Sequence, residues 1–246
     1  SGLRSFDRSM PEEVNRILTD EISDYLFVTE PSGIENLSDG IYSKKQIHYV
    51  GNTMIDTLVA FDRKISKSEI LAQIGIKKQE FLLLTFHRPS NVDSVEAQKR
   101  LVELILMLAS KQHCVFPMHP RTKKNLQASS LFQKIEECSD ITLLEPLGYF
   151  EFQNLVKNAL GVITDSGGIQ EETTFRQVPC ITLRPNTERP VTTQLGSNLL
   201  LPFNNQRIDE AVKNIVNRTA KKGVIPELWD GLSTVRILDV LEKKLA

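Results

Sequence analysis

From residue 80 onward the chain alternates two patterns. Short unbroken apolar runs (EFLLLTF, HCVFPM, ITLLEP, GVITD, CITLR and NLLL) are separated by amphipathic stretches. These are VDSVEAQKRLVELILMLAS, YFEFQNLVKNA, GGIQEETTFR, the segment around VTTQLG, and QRIDEAVKNIVNRT. Apolar runs of four to six residues without alternation fit strands buried on both faces. Their regular exchange with helices predicts a parallel sheet covered on both sides, an α/β fold of Rossmann-like type. Upstream, residues 11–24 predict a helix, with Pro11 in its first turn and Glu12 and Glu13 at the positive end of its dipole. Val14, Ile17, Leu18 and Ile22 give that helix one apolar face. YLFVTE reads as a buried strand, SGIENLSDG as a helix ended by Gly40, and IHYVGN as a strand turning at Gly51-Asn52. A helix with Ile55, Leu58 and Val59 starts near Thr53. FDRKISKSEI reads as an exposed connection with a short helix, and LSTVRILDVLEKKLA as a closing amphipathic helix.

The 246 residues suffice for one large domain, or one domain and part of another. The chain is 40% hydrophobic and 25% charged, with a net charge of -1. That balance gives no basic surplus for electrostatic nucleic-acid binding. No apolar run approaches the roughly 20 residues that span a bilayer. SGLRSFDRSMPEE contains no apolar stretch resembling a signal peptide, and the chain does not begin with methionine. Cys114, Cys138 and Cys180 are far apart and form no CxxC, which predicts reduced thiols and a cytoplasmic setting.

In open α/β sheets ligands bind beyond the carboxyl ends of the strands. There the chain places His87-Arg88, His119-Pro120-Arg121, Asp165-Ser166-Gly167-Gly168 and the stretch Arg184 to Arg189. TDSGGIQEE is the strongest local signal. Gly167 and Gly168 permit close approach, a helix start offers free N–H groups to phosphate, and Ser166 adds a hydroxyl. Glu171 or Glu172, a turn further on, suits a ribose diol. The same spacing also suits an ordinary helix entry with solvated glutamates. Arg88 and Arg189 offer guanidinium forks for phosphate, and His87 and His119 further donors, although each also fits a strand-end or loop role. The four histidines lack metal-ligand spacing, and DSGG lacks the GxSxG elbow of a serine hydrolase. No metal is expected.

Taken in order, GLRSFDRSMPEEVNR, FVTEPSG, VGNTMIDTL, TFHRPSNVD, PMHPRT, EPLGYFEF, TDSGGIQEE and NTERP resemble the non-hydrolysing UDP-N-acetylglucosamine 2-epimerases, which are similar to GT-B glycosyltransferases. The resemblance implies a C-terminal two-thirds of such a protein. Residues 1–47 would be a remnant of an N-terminal domain, 48–230 the UDP-binding domain, and 231–246 a closing helix returning toward the first. It implies that UDP is eliminated and re-added around C2 of the sugar, with no external cofactor, in a cytoplasmic protein of cell-surface polysaccharide biosynthesis whose parent is a homodimer. Ser166, Gly167, Gly168 and Arg189 would hold the diphosphate and Glu172 the ribose. His87 and Arg88 would face the nucleotide-sugar, and Arg4 lies in a segment that follows a catalytic acid in the family. His119 joins the substrate-binding set and His87 is the acid/base candidate. Glu12 and Glu13 are the nearby carboxylates, and the main acids are expected upstream of Ser1, which would leave the chain itself inactive. Ser90 and Val191 stand where the family often has Glu, pointing to a related UDP-sugar as one alternative. A GT-B glycosyltransferase and a non-catalytic nucleotide-binding homologue are the others.

Overall fold

A computed structural model describes residues 1–38, 42–127, 129 and 131–245, so Gly40, expected to end a helix, lies outside the described residues. The chain opens with an irregular segment and α1 (Pro11–Glu21), then β1 (Leu26–Val28), α2 (Pro31–Ser38) and β2 (Ile47–Tyr49). Next come α3 (Thr53–Ser66) and α4 (Ile70–Gln73). The strand–helix series follows as β3 (Leu82–Thr85), α5 (Pro89–Val92), α6 (Val95–Ala109), β4 (Cys114–Pro117), α7 (Pro120–Gln127), α8 (Leu131–Glu136), β5 (Ile141–Leu144) and α9 (Tyr149–Asn158). It continues with β6 (Gly161–Thr164), α10 (Gly167–Arg176), β7 (Cys180–Leu183), α11 (Pro190–Gln194), β8 (Asn198–Leu201), α12 (Asn205–Val216) and α13 (Ser233–Leu245).

Strands β3 to β8 form one parallel sheet in the order β5-β4-β3-β6-β7-β8. Side chains alternate across it with the strand period of two. Leu82 and Leu84 face Leu101, Ile105, Leu108, Ile208 and Val212 on one side, whereas Phe81 and Leu83 face Leu155, Val156 and Val162 on the other. Both faces are therefore dry, which is why these strands read as continuous apolar runs. The order reverses at the β3–β6 neighbours, a topological switch point, and the crevice beyond their carboxyl ends is where such sheets bind ligands.

The expectation of half a GT-B fold plus a remnant domain is corrected here. The chain is one α/β unit with two parallel sheets, the second being the β1–β2 pair. Residues 1–50 and the C-terminal segment are tied into the main body. Trp229 is buried against Ile55, Leu58, Ile65 and Val191, and its indole N–H donates to the Thr29 carbonyl at 2.9 Å. The Tyr49 hydroxyl donates to the Glu227 carbonyl at 3.0 Å. The first N–H groups of α13, from Ser233 and Thr234, donate to the Asp56 carboxylate of α3 at 3.0 and 2.6 Å. Gly51 has φ +89° with its Cα packed on the Leu228 carbonyl, where a Cβ would lie 2.1 Å from that oxygen.

Helix α1 reverses its expected orientation. Leu18 and Ile22 are exposed, and the residues it buries are Glu13 and Asp20. Their carboxylates take the N–H groups of residues 2, 5 and 6. The opening segment is thus held by charge-assisted hydrogen bonds, not by apolar packing.

Trp229→Ala removes the plug between α3, α11 and the Thr29 loop. It is expected to cost about 3–5 kcal/mol, measured as the loss of unfolding free energy in urea.

Candidate functional site

Helix α10 begins where β6 leaves the sheet. Its N-cap, Ser166, has extended backbone angles, but its hydroxyl makes no capping bond, and its own N–H is taken by Thr164 Oγ1 at 2.9 Å. The first-turn N–H groups of a helix have no intrahelical acceptor, so Gly167, Gly168 and Ile169 present donors to the crevice alongside a free hydroxyl. Glycine at 167 makes room for Arg189 to cross it: a Cβ would lie 2.9 Å from Arg189 Nη1 and 3.0 Å from Glu188 Oε1.

Arg189 is held from behind. Its Nε lies 2.7 Å from Glu171 Oε2, and its Nη1 pairs with Glu188. Glu188 also binds the buried Arg184 at 2.8 Å. Burial opposes ionisation of Glu188, but Arg189 and Arg184 outweigh it and bring the carboxyl down to about 2. Burial raises Glu171 above the usual carboxylate range, against Arg189 and a 2.8 Å hydrogen bond from Asn52 Nδ2. Two arginines and two glutamates thus form a rigid, nearly neutral block under the helix start. Arg184 Nη1 has no partner in the block.

Asp165, wholly buried, fixes the other wall. Its carboxylate accepts the backbone N–H groups of His87 and Arg88 at 3.1 and 3.0 Å, Asn91 Nδ2 at 3.0 Å, and lies 2.9 Å from His87 Nδ1. Arg88 Nε donates to the Asp165 carbonyl at 2.9 Å. Burial alone would raise the Asp165 carboxyl, yet the donors from His87, Asn91 and Arg88 hold it below its ordinary value. The His87 ring, oriented through Nδ1, leaves Nε2 for chemistry in the crevice. His119 lies 5.6 Å away between ring centroids, and its Nδ1 accepts the Arg121 N–H at 3.2 Å. His87, His119, Ser166, Leu147 and Phe152 enclose a cavity of about 190 Å³. Arg121 points outward to Asp93.

A larger cavity of about 420 Å³ opens at the amino ends of the strands, lined by Lys157, Arg176, Arg218, Lys221 and Lys222. Lys157, Arg176 and Arg218 sit at the carboxyl ends of α9, α10 and α12, where basic side chains answer the helix dipole. Size alone therefore does not make it the site.

The structure brings Ser166, Gly167, Gly168, Arg189, Arg88, His87 and His119 to one crevice. Glu172 lies further along α10 beside Gln153, Tyr149 and Arg176, and burial lifts it to about 7. Arg4 is elsewhere, paired with Asp20 at 2.7 Å. Glu13 has both oxygens occupied by Ser5, Phe6 and Arg16. Glu12, its exposed neighbour, lies near enough for its charge to act on Arg88, after the nearer charges of Glu188 and Asp165. Asp165 and Arg184 were visible only as members of a polar rim; their pairing with the His87-Arg88 loop and with Glu188 carried no sequence signal. Among the described residues no group of three His, Cys, Asp or Glu side chains could hold a metal, and no helix is long and apolar enough to cross a membrane.

A family model described as UDP-N-acetylglucosamine 2-epimerase matches residues 1–242. A UDP-N-acetylglucosamine 2-epimerase of Methanocaldococcus jannaschii is 42% identical over 247 residues, covering 98% of this chain and 67% of the relative. One from Methanococcus maripaludis is 43% identical over 222 residues, covering 88% and 60%. The crystal structure of the Methanocaldococcus jannaschii enzyme in complex with UDP-GlcNAc and UDP superposes with a TM-score of 0.84 at 42% identity, over 97% of this chain and 67% of that one. The chain thus spans about two-thirds of the length of these relatives, or slightly less. The description of this chain as a C-terminal two-thirds carrying a domain remnant is set aside. The likeness runs through residues 1–242 as one continuous match, with the opening segment included.

Glu172 also sets a pH dependence. A glutamate carboxyl ordinarily ionises at 4.5, and burial in the folded chain moves this one to about 7, so the folded chain holds an extra proton between those values. Stability from this group is present below the lower value and is lost as pH rises through the upper one. The thermal midpoint of Glu172→Gln should therefore fall less than that of the wild type over this window. Parallel melting curves would sink this if they kept a constant separation.

Proposed function

The chain belongs to the UDP-N-acetylglucosamine 2-epimerase family, and we propose that it interconverts UDP-N-acetylglucosamine and UDP-N-acetylmannosamine by eliminating and re-adding UDP. One observation carries this reading: a glycine-opened helix start with an uncommitted serine hydroxyl, beside a clamped arginine, at the switch point of the sheet. That arrangement suits a leaving diphosphate, whose developing charge needs fixed donors that do not have to reorganise. Ser166, Gly167, Gly168 and Arg189 hold the diphosphate, and Glu172 takes the ribose. The cavity bounded by Leu147 and Phe152 offers an apolar wall to a flat base. His87, steered by Asp165, is the acid/base candidate on this wall, and Glu12 is the carboxylate best placed to act near Arg88. No external cofactor enters the reaction. In this reading residues 48–230 carry the nucleotide, and the protein works as a homodimer in the cytoplasm, supplying sugar for cell-surface polysaccharide.

The two departures from the family pattern differ in weight. Val191 packs into the apolar cluster with Ile55, Leu58 and Trp229, so it does not face a sugar. Ser90 is exposed in α5, two residues after Arg88, and is the position that favours a related UDP-sugar as the second reading.

Incubation with UDP-N-acetylglucosamine in heavy water is expected to place deuterium at C2 and to form the manno epimer without an acceptor. Absence of both, in protein that binds UDP, would count against the epimerase reading. Arg189→Ala removes a charge-assisted contact of about 1.5–3 kcal/mol. By calorimetry UDP affinity should fall roughly 10- to 100-fold. Ser166→Ala should fall less, since it removes one neutral donor.

A further inference from the structure

Glu30 is a wholly buried carboxyl with no part in the mechanism above. It lies in the turn from β1 into α2. Its Oε1 accepts from Ser32 Oγ at 2.6 Å and from the Val191 N–H at 3.4 Å, whereas its Oε2 has no partner. Charged and titratable groups face it from each element packed around it: Glu171 from α10, Arg189 from the β7–α11 loop, and Tyr49 from β2. Burial lifts its carboxyl to about 7, with Ser32 and Val191 pulling it down, Glu171 pushing it up and Arg189 pulling it down.

Arg189 is therefore the cation shared by the whole cluster. Glu171 touches it on one side, Glu188 on another, and the start of α10 lies in front. A diphosphate seated on that helix start brings negative charge against the same guanidinium. With Glu30, Glu171 and Glu188 already set against Arg184 and Arg189, the cluster then holds more anions than its two cations can balance in a medium of low dielectric. Glu188 keeps two arginines, and Glu171 keeps Arg189 and Asn52. Glu30 has no cation within hydrogen-bonding distance and an unoccupied oxygen, which makes it the member that gives up its charge at least cost.

Resting on the nucleotide-site reading, we propose that Glu30 is the proton acceptor of this cluster: seating the diphosphate at the start of α10 draws one proton from solvent onto Glu30, linking nucleotide binding to the β1–α2 turn and the second sheet. Protonation removes a negative charge that the phosphates would otherwise meet in the neighbourhood of Arg189. Glu30 is thus a positioning residue for Arg189 and does not touch substrate.

UDP-N-acetylglucosamine is the probe, because neither of its phosphates titrates near neutrality and its epimerisation releases no net proton. Calorimetric titration near pH 7, where Glu30 sits, in buffers of differing ionisation enthalpy, should give heats that reveal uptake of a fraction of a proton. In Glu30→Gln, and in Glu30→Gln made in a Glu172→Gln background so that Glu172 does not contribute, the uptake due to Glu30 should be lost while binding persists. Ser32→Ala, which removes a donor to the charged form, should move the pH of greatest uptake upward, and this variant carries the test if Glu30→Gln does not fold. Buffer-independent heats in the wild type, uptake undiminished in Glu30→Gln, or an unmoved profile in Ser32→Ala would each overturn the assignment. No binding heat with either the sugar nucleotide or UDP would overturn the nucleotide site itself, and this inference with it.

Discussion

The crevice depends on one carboxylate. Asp165 lies at the end of β6 and collects donors from the loop that follows β3, so the two strands at the switch point leave the sheet locked to each other. Below it, Thr85 and Thr164 close the strand ends with a 2.7 Å hydroxyl contact. Everything downstream inherits this lock: the His87 ring orientation, the Arg88 guanidinium, and the exit direction of the chain into Ser166. A buried carboxylate without such donors would be prohibitively costly. With four donors it becomes a charged post around which a loop is built.

The opposite wall uses the reverse economy. Arg184 is a buried cation and Arg189 a half-buried one, both steadied by glutamates, and such a group stabilises the fold little once desolvation is counted. Its value lies in preorganisation. An arginine held against its own glutamates cannot collapse onto the helix start in the absence of ligand, nor does it have to search for a phosphate when one arrives. Rigidity is also why glycine suits residue 167: a side chain there would press on the clamped guanidinium.

How much of this could be read in advance follows from the range of the interactions. Strands β3 to β8 were legible because burial on both faces erases alternation, and the polar residues at their carboxyl ends stood out against it. The helix start at Ser166 was legible because glycines and a hydroxyl sit next to each other in sequence. Helix α1 misled, since its apolar stripe suggested an inward face while the structure turns Glu13 and Asp20 inward to hold residues 2–6. Choosing between Glu12 and Glu13 needed the fold, because adjacent helical positions point about 100° apart. The contact of Glu30 with Val191 spans 161 positions, and no local pattern announces it. The expectation of half a GT-B fold plus a remnant failed for a similar reason: Trp229, Tyr49 and Asp56 join distant segments through contacts that leave no periodic trace.

Helix α13 is fastened at one end. Ser233 at its start is buried, its first N–H groups are clasped by Asp56, and Arg236 reaches the Val50 carbonyl at 3.1 Å, whereas Val235 and Leu238 are exposed. A helix clasped at its root should open more readily toward its far turns. Amide protection would then decay along its length, with the opening of each turn independent of the sheet beneath. The mooring point is also the place where the chain passes from β2 into α3. Helix α13 is thereby rooted in the joint between the two sheets, and a pull along it would be felt there first.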